Sequence, residues 1–205
     1  MLQQQYKIDE KGKEILLQDN KHQVMMEWEK SYMEACIDLL KPKGDVLEIG
    51  FGMGYSATQI QKYKPKSHTI IEMDSMVVRR LKEWAKDYDN IIIVEGTWQK
   101  EIHKLEKFDE IFFDDFPLKE PKNQLEKKLL GERFPMFLDI CRYSHSKPTT
   151  KISAYIHDPE GKFKQRMNEN PYYSYEEYFM DINLPDNCNY YRDNKGIIPI
   201  IQIRS

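Results

Sequence analysis

Residues 45–56, DVLEIGFGMGYS, constrain the fold more than any other stretch of the chain. A short apolar run, Val46-Leu47-Glu48-Ile49, ends in glycines at alternate positions, Gly50, Gly52 and Gly54, and a helical pattern restarts at Tyr55. That order predicts strand, tight turn, helix. In an open α/β sheet such a turn lies beyond the carboxyl end of a strand, where nucleotide-type ligands bind. The spacing excludes two common ligands. A dinucleotide fingerprint counted from Gly50 requires a glycine at position 55, where Tyr55 stands, and a P-loop requires Gly-Lys-Ser/Thr to close the turn.

The pattern that remains, E-x-G-x-G-x-G from Glu48 to Gly54, is similar to that of S-adenosyl-L-methionine-dependent methyltransferases. That ligand has no phosphate, so the glycines are expected to let it lie against backbone that no Cβ obstructs. The next apolar run, His68-Thr69-Ile70-Ile71, ends in Glu72, 72 − 52 = 20 residues beyond the middle glycine. An acid at that distance is placed to accept both ribose hydroxyls. Taken singly, a ligand-free glycine turn and a solvated strand-end glutamate are the plain alternatives.

The 205 residues suit one domain with one core, and 12% aromatic with 32% charged residues is a globular composition. Net charge is −3 with Lys and Glu interspersed, so electrostatics gives no support for a nucleic-acid partner. The lysine clusters at 61–66 and 119–128 read as solvated surface. Cys36, Cys141 and Cys188 have no C-x-x-C spacing and fit buried thiols in a reducing compartment. The histidines share no metal-ligand spacing, so no metal is expected. The start, MLQQQYKIDEKGKE, lacks an apolar signal core, and no apolar run approaches ~18 residues. A soluble cytoplasmic protein without a membrane partner is expected, as monomer or homodimer.

Along the chain, residues 1–21 read as an N-terminal arm or lid and 22–205 as a single domain. Val24, Trp28, Tyr32, Ala35 and Leu39 recur at helical steps and predict a helix over 22–40, ended by Lys41-Pro42-Lys43-Gly44. Strands are expected at 45–49, 68–72, 91–94, 109–114 and 149–157, the third buried on both faces because it is continuously β-branched. Helices are expected at 55–63, 75–88 (capped by Asp74 or Ser75), 98–106 and 124–144, the last breaking at Pro135. Late strands at 176–184 and 196–204 complete the pattern. The expected fold is α/β and Rossmann-like: a class I S-adenosyl-L-methionine-dependent methyltransferase fold, with a mostly parallel central sheet, helices on both faces and an antiparallel last strand.

Three further stretches carry a more specific resemblance: VMMEWEKSYM at 24–33, GTWQ at 96–99 and IFFDDFPL at 111–118. With IGFGMG and IIEMD they resemble guanidinoacetate N-methyltransferase and relatives that methylate arginine side chains on the guanidino group. The tail NCNYYRDNKGIIPII is similar to the end of that enzyme. The resemblance covers residues 22–118 and 180–201. It implies a transferase using S-adenosyl-L-methionine, leaving S-adenosyl-L-homocysteine, and acting on a small guanidino substrate, guanidinoacetate first. An arginine side chain in a protein is the alternative, and a non-catalytic cofactor-binding subunit a third.

Position by position, the resemblance implies that Met25 and Met33 line the cofactor cleft and that Gly50, Phe51, Gly52, Met53, Gly54, Tyr55 and Ser56 cradle the methionine part. Glu72 would hold the ribose beside Met73 and Asp74, with Trp98 and Gln99 bordering the adenine. Glu29 and Asp114 would be catalytic and grip the guanidino group, Asp114 also meeting the cofactor. Met25 and His157 would join them at the substrate. The chemistry is consistent: a guanidinium is a planar fork of N–H donors without a free lone pair, best matched by carboxylates that orient it and take its proton. Met25, Trp28 and Met33 also fit a plain core, Glu29 a solvated side chain, Asp114 a helix cap and Trp98 a core aromatic. The chain departs from the family pattern in three places. Asp115 stands where the family has Thr. The stretch after the fifth strand, which supplies backbone to the substrate carboxylate, is shorter and matches about Ile156-His157-Asp158. The N-terminal lid is short. Successive strand residues point to opposite faces, so only one of Asp114 and Asp115 is expected to face the methyl group.

Overall fold

The polypeptide from its first described residues builds a small antiparallel sheet before the main one begins. The computed structural model describes residues 4–115 and 123–204. Met1, Leu2 and Gln3 of the expected arm lie outside the described residues, as do Phe116, Pro117 and Leu118 of the quoted motif and Lys119 and Lys122 of the second lysine cluster. Strands β1 (Gln4–Ile8), β2 (Glu14–Gln18) and β3 (His22–Met26) pair in sequence order. The turn before β2 is held by Asp9, whose carboxylate accepts from the N–H groups of Lys11 and Lys13, both at 2.8 Å. The turn before β3 places Asp19 and Asn20 at φ 51° and 59°, the two left-handed residues of a type I′ hairpin.

The expected helix over 22–40 therefore starts late. Residues 22–26 are strand, paired from Gln18↔His22 to Ile15↔Met26, and α1 runs Glu29–Leu40. The four-residue spacing of Val24, Trp28 and Tyr32 ran on across the strand–helix junction, while Ile15-Leu16-Leu17 supplied a ladder partner that periodicity alone does not reveal.

The main sheet has seven strands in the order β6-β5-β4-β7-β8-β10-β9. Strands β4 (Asp45–Ile49), β5 (Ser67–Glu72), β6 (Ile91–Glu95), β7 (Phe108–Phe113) and β8 (Ser146–Ala154) are parallel. Strand β10 (Lys195–Ile203) runs antiparallel between β8 and β9 (Tyr173–Asp181). Helices α2 (Tyr55–Lys62), α3 (Ser75–Trp84), α4 (Trp98–Glu101), α5 (Gln124–Gly131), α6 (Arg133–Ile140) and α7 (Lys162–Glu169) connect them. Asp74 caps α3 as expected, accepting from the N–H groups of Met76 and Val77. One apolar cluster, with Tyr32, Ile37, Ile60 and Leu81, fills one face of the sheet. A second, with Leu47, Trp98, Phe113 and Phe137, fills the other.

Two expectations are corrected, and one helix is added. Strand β6 is the sheet's edge rather than a strand buried on both faces, and Ile92 is 50% exposed; a β-branched run reports strand propensity, not position in the sheet. The helix over 124–144 breaks at Glu132, and Pro135 falls in the first turn of α6, where no N–H is needed. Helix α7 follows Gly161, a weak cap with little sequence signal. Cys36 and Cys141 are buried free thiols and Cys188 is half-buried. Among the described residues no helix is long and apolar enough to cross a membrane.

The late segment between β9 and β10 reaches back to the N-terminal sheet. Gln23 donates to the Asn187 carbonyl at 2.7 Å and accepts from the Asn189 N–H at 2.8 Å, while Asn187 donates to Asp9 at 3.0 Å. The N-terminal sheet and the segment between β9 and β10 thus meet over the carboxyl ends of β4, β7 and β8.

Candidate active site

A cavity of about 460 Å³ lies at that meeting point. Its floor is the end of β4 and the glycine turn. Gly50 has φ 83°, and a Cβ there would stand 2.1 Å from the carbonyl oxygen of Asp114. At Gly52, φ 51°, a Cβ would meet the Met25 sulfur at 2.8 Å, and at Gly54 the Phe51 ring at 2.7 Å. The space beside each glycine is thus filled by protein, which corrects the expected reason for them: they admit neighbouring chain, and Gly50 and Gly52 present bare backbone to the cavity as a result.

Glu72 closes β5 and lines the cavity, 8% exposed. One carboxylate oxygen accepts from the Phe51 N–H at 2.9 Å, the other from the N–H groups of Met73 and Asp74 at 2.7 and 2.8 Å. Burial raises its pKa against those three bonds. The oxygen that meets Phe51 keeps acceptor capacity for a ribose hydroxyl, while the other is filled by its two N–H donors.

Glu29 opens α1 and is 3% exposed. Its carboxylate accepts from the Met26 N–H at 3.1 Å and from the Tyr190 hydroxyl. Burial pushes its pKa up to about 7 against both bonds. Asp114 follows β7 and lines the same cavity. Burial, then the charge of Glu29, raises its pKa well above the usual carboxylate range. A cation placed between the two would return both to the charged form.

Asp115 also lines the cavity, on the side of Trp98, and the lining does not set which of the two aspartates faces the methyl group. The strand ends at Phe113, so strict alternation no longer holds. Trp98, 2% exposed, lies along the wall with Met73, Gly96 and Thr97. Met25 and His157 line the cavity, and His157 is paired with Asp193. Met33, Phe51, Met53, Gly54, Tyr55, Ser56, Asp74 and Gln99 are not among its lining residues. Met33 is wholly buried in the core, and the Phe51 ring packs 5.3 Å from Trp84. Ser56 donates to Glu48, whose other oxygen lies 2.8 Å from the His68 ring nitrogen in a fully buried pair. Sequence reasoning missed Gln4, Tyr155, Tyr190 and Tyr191 in the lining. The tail NCNYYRDN was the available signal for the last two.

The model of the family described as guanidinoacetate N-methyltransferase matches residues 4–128. The chain belongs to this family. S-adenosyl-L-methionine is the family's cofactor, and Glu72 with the bare glycine backbone fits it. Protein arginine N-methyltransferase 2 of Candida glabrata is 40% identical over 107 residues, 49% of this chain and 26% of that protein. Its Saccharomyces cerevisiae namesake is 36% identical over 114 residues, 52% of this chain and 28% of that protein. The chain thus spans about a quarter of the length of these relatives. Among solved structures, spermidine synthase from Thermotoga maritima superposes at TM-score 0.70 with 18% identity, over 98% of this chain and 69% of that one. The O-methyltransferase from Bacillus cereus superposes at TM-score 0.61 with 14% identity, over 88% and 82%. At those identities the likeness establishes the class I methyltransferase fold alone.

Proposed function

We propose that the chain transfers a methyl group from S-adenosyl-L-methionine to a guanidino nitrogen, and that the nitrogen belongs to an arginine side chain in a protein. The observation that carries the reading is that Glu29 and Asp114 line the same cavity as the glycine turn and Glu72. Bound there, the cofactor supplies an electrophilic methyl group on a cationic sulfur. Glu29 and Asp114 orient the planar guanidinium and set one nitrogen in line with that methyl. Tyr190 and the Met26 N–H hold Glu29 so that its second oxygen is free for the substrate.

The proton leaves late. A guanidinium holds its proton far more tightly than even the raised carboxyl of Glu29, so transfer ahead of methylation is steeply uphill. As the C–N bond forms, the nitrogen turns strongly acidic and the carboxylate accepts its proton downhill.

The arginine substrate is favoured over guanidinoacetate by charge. Four carboxylates, Glu29, Glu72, Asp114 and Asp115, line the cavity, of which, among the described residues, Asp115 alone is paired with an arginine, Arg133; His157 is the one basic side chain in the described lining, already paired with Asp193. A substrate carboxylate has no cation of its own there, whereas an arginine within a chain brings only positive charge. The names of the relatives agree with this choice. The test is transfer of labelled methyl from S-adenosyl-L-methionine to arginine-containing protein, free arginine and guanidinoacetate, with Asp114→Asn as control. Label in protein, lost in the variant, is expected. Label in guanidinoacetate alone would overturn the substrate, and label in none the activity.

A further inference from the structure

We propose that Asp115 reads the adenine of the cofactor, its Oδ1 accepting a hydrogen bond from the exocyclic amine. The assignment rests on the cofactor reading above. Asp115 lines the cavity together with Trp98, Thr97 and Gly96, and its side chain is 8% exposed. Its Oδ2 accepts from the Trp98 indole Nε1–H at 2.9 Å and from the Arg133 Nε–H at 2.6 Å, and the Arg133 Nη2 pairs with the same oxygen. Among the described residues, Oδ1 takes no hydrogen bond.

The donors are themselves fixed. The Trp98 ring stands edge-on to Phe113 at 5.8 Å and to Phe137 at 5.3 Å, and Arg133 opens α6. A carboxylate held through one oxygen presents the other in a set direction. Arg133 also offsets its charge, so a third acid beside Glu29 and Asp114 adds no unbalanced charge to the methyl-transfer centre. A ligand that fills the cavity takes water from that oxygen, and an acceptor left there without a donor is costly unless the ligand brings an N–H of its own. Adenine offers one in its amine, and Glu72 on the ribose sets the base towards the wall that Trp98 forms. The role would otherwise fall to Gln99, which does not line the cavity. A Thr at position 115 could not both accept from the amine and hold Arg133 through a second oxygen.

The experiment is calorimetric titration of the full chain with S-adenosyl-L-homocysteine and with S-inosyl-L-homocysteine, whose amine is replaced by a carbonyl oxygen. Wild type should prefer the adenosyl ligand by about 10- to 100-fold, the usual worth of a hydrogen bond to a charged group. In Asp115→Asn the amide oxygen turns to Trp98 and Arg133 and the amide N–H faces the base. The preference should collapse or invert, with tighter inosyl binding than in wild type. That gain distinguishes lost recognition from a damaged fold, and Asp115→Thr should lose the preference without the gain. An unchanged ligand ratio in Asp115→Asn, or an effect confined to the KM of the methyl acceptor, would overturn the assignment while the cofactor reading stands. Wild type that binds neither ligand would overturn both.

Discussion

Replacing Glu29 by Gln should stabilise the free protein at high pH while removing its activity. Glu29 is almost fully buried, and burial raises its carboxyl from the ordinary 4.5 to about 7. A carboxyl raised on folding binds more protons in the folded chain than in the unfolded one across that window. Its contribution is complete below the unfolded value and is lost as pH rises through the folded one. The difference, 7 − 4.5 ≈ 2.5, corresponds to about 3 kcal/mol at ~1.36 kcal/mol per pKa unit. Gln keeps an oxygen for Met26 and Tyr190 and never ionises. It also relieves Asp114, whose carboxyl the Glu29 charge helps to raise. Urea denaturation of both proteins at pH 4.5 and pH 8.5 checks this. The variant should gain about 3 kcal/mol on wild type between the two conditions, groups common to both cancelling in the difference. A gap that does not move with pH, or that opens in favour of wild type, would refute the reasoning. Methyl transfer by the same variant should fall to background, stability being gained where function needs a strained charge.

Asp114→Asn should lower turnover by at least ~10²-fold with S-adenosyl-L-homocysteine affinity nearly unchanged, as expected when one of the two carboxylates that hold and deprotonate the guanidinium is removed; turnover close to wild type would leave Glu29 alone in that role. Glu72→Ala should weaken the same ligand by about 1–3 kcal/mol. It should also lower Tm, because the N–H groups of Phe51, Met73 and Asp74 lose their acceptor; weaker binding at unchanged Tm would show those bonds to be idle. Gly50→Ala combines φ 83° with a Cβ 2.1 Å from the Asp114 carbonyl. A loss of about 2 kcal/mol or more in denaturant melts, with turnover falling alongside, is expected; wild-type melting would count against that packing.

The parts of the molecule legible in the sequence are those whose signals are local. Gly50, Gly52, Gly54 and Glu72 lie within two adjacent βα units, and their spacing alone marked the cofactor end. Glu29 and Asp114 looked ordinary singly and stood out only through the resemblance. The hairpin signal Asp19-Asn20 was present, yet the helical spacing of Val24, Trp28 and Tyr32 outweighed it. Strand β6 could not be assigned to an edge, because its neighbours are set by sheet order and not by its own residues. Tyr190 was out of reach for the same reason: its partner Glu29 is 161 residues away. Asp115 departs visibly from the family pattern, but its meaning depends on Arg133 and Trp98, which periodicity does not bring together.

The long reach between Glu29 and Tyr190 has a consequence for how the protein matures. Strands β4, β5 and β6 and the helices between them pair with near neighbours in sequence, contacts that form early because little chain must be closed to make them. The segment between β9 and β10 docks on the N-terminal sheet through Gln23, Asn187 and Asn189 across more than 160 residues of chain. A molecule caught before that docking already owns Glu72 and the glycine turn, yet its Glu29 stands in water without Tyr190. Such a species would capture cofactor without turning it over. Ligand binding and catalysis should therefore return at different times on refolding, with chemistry the later arrival.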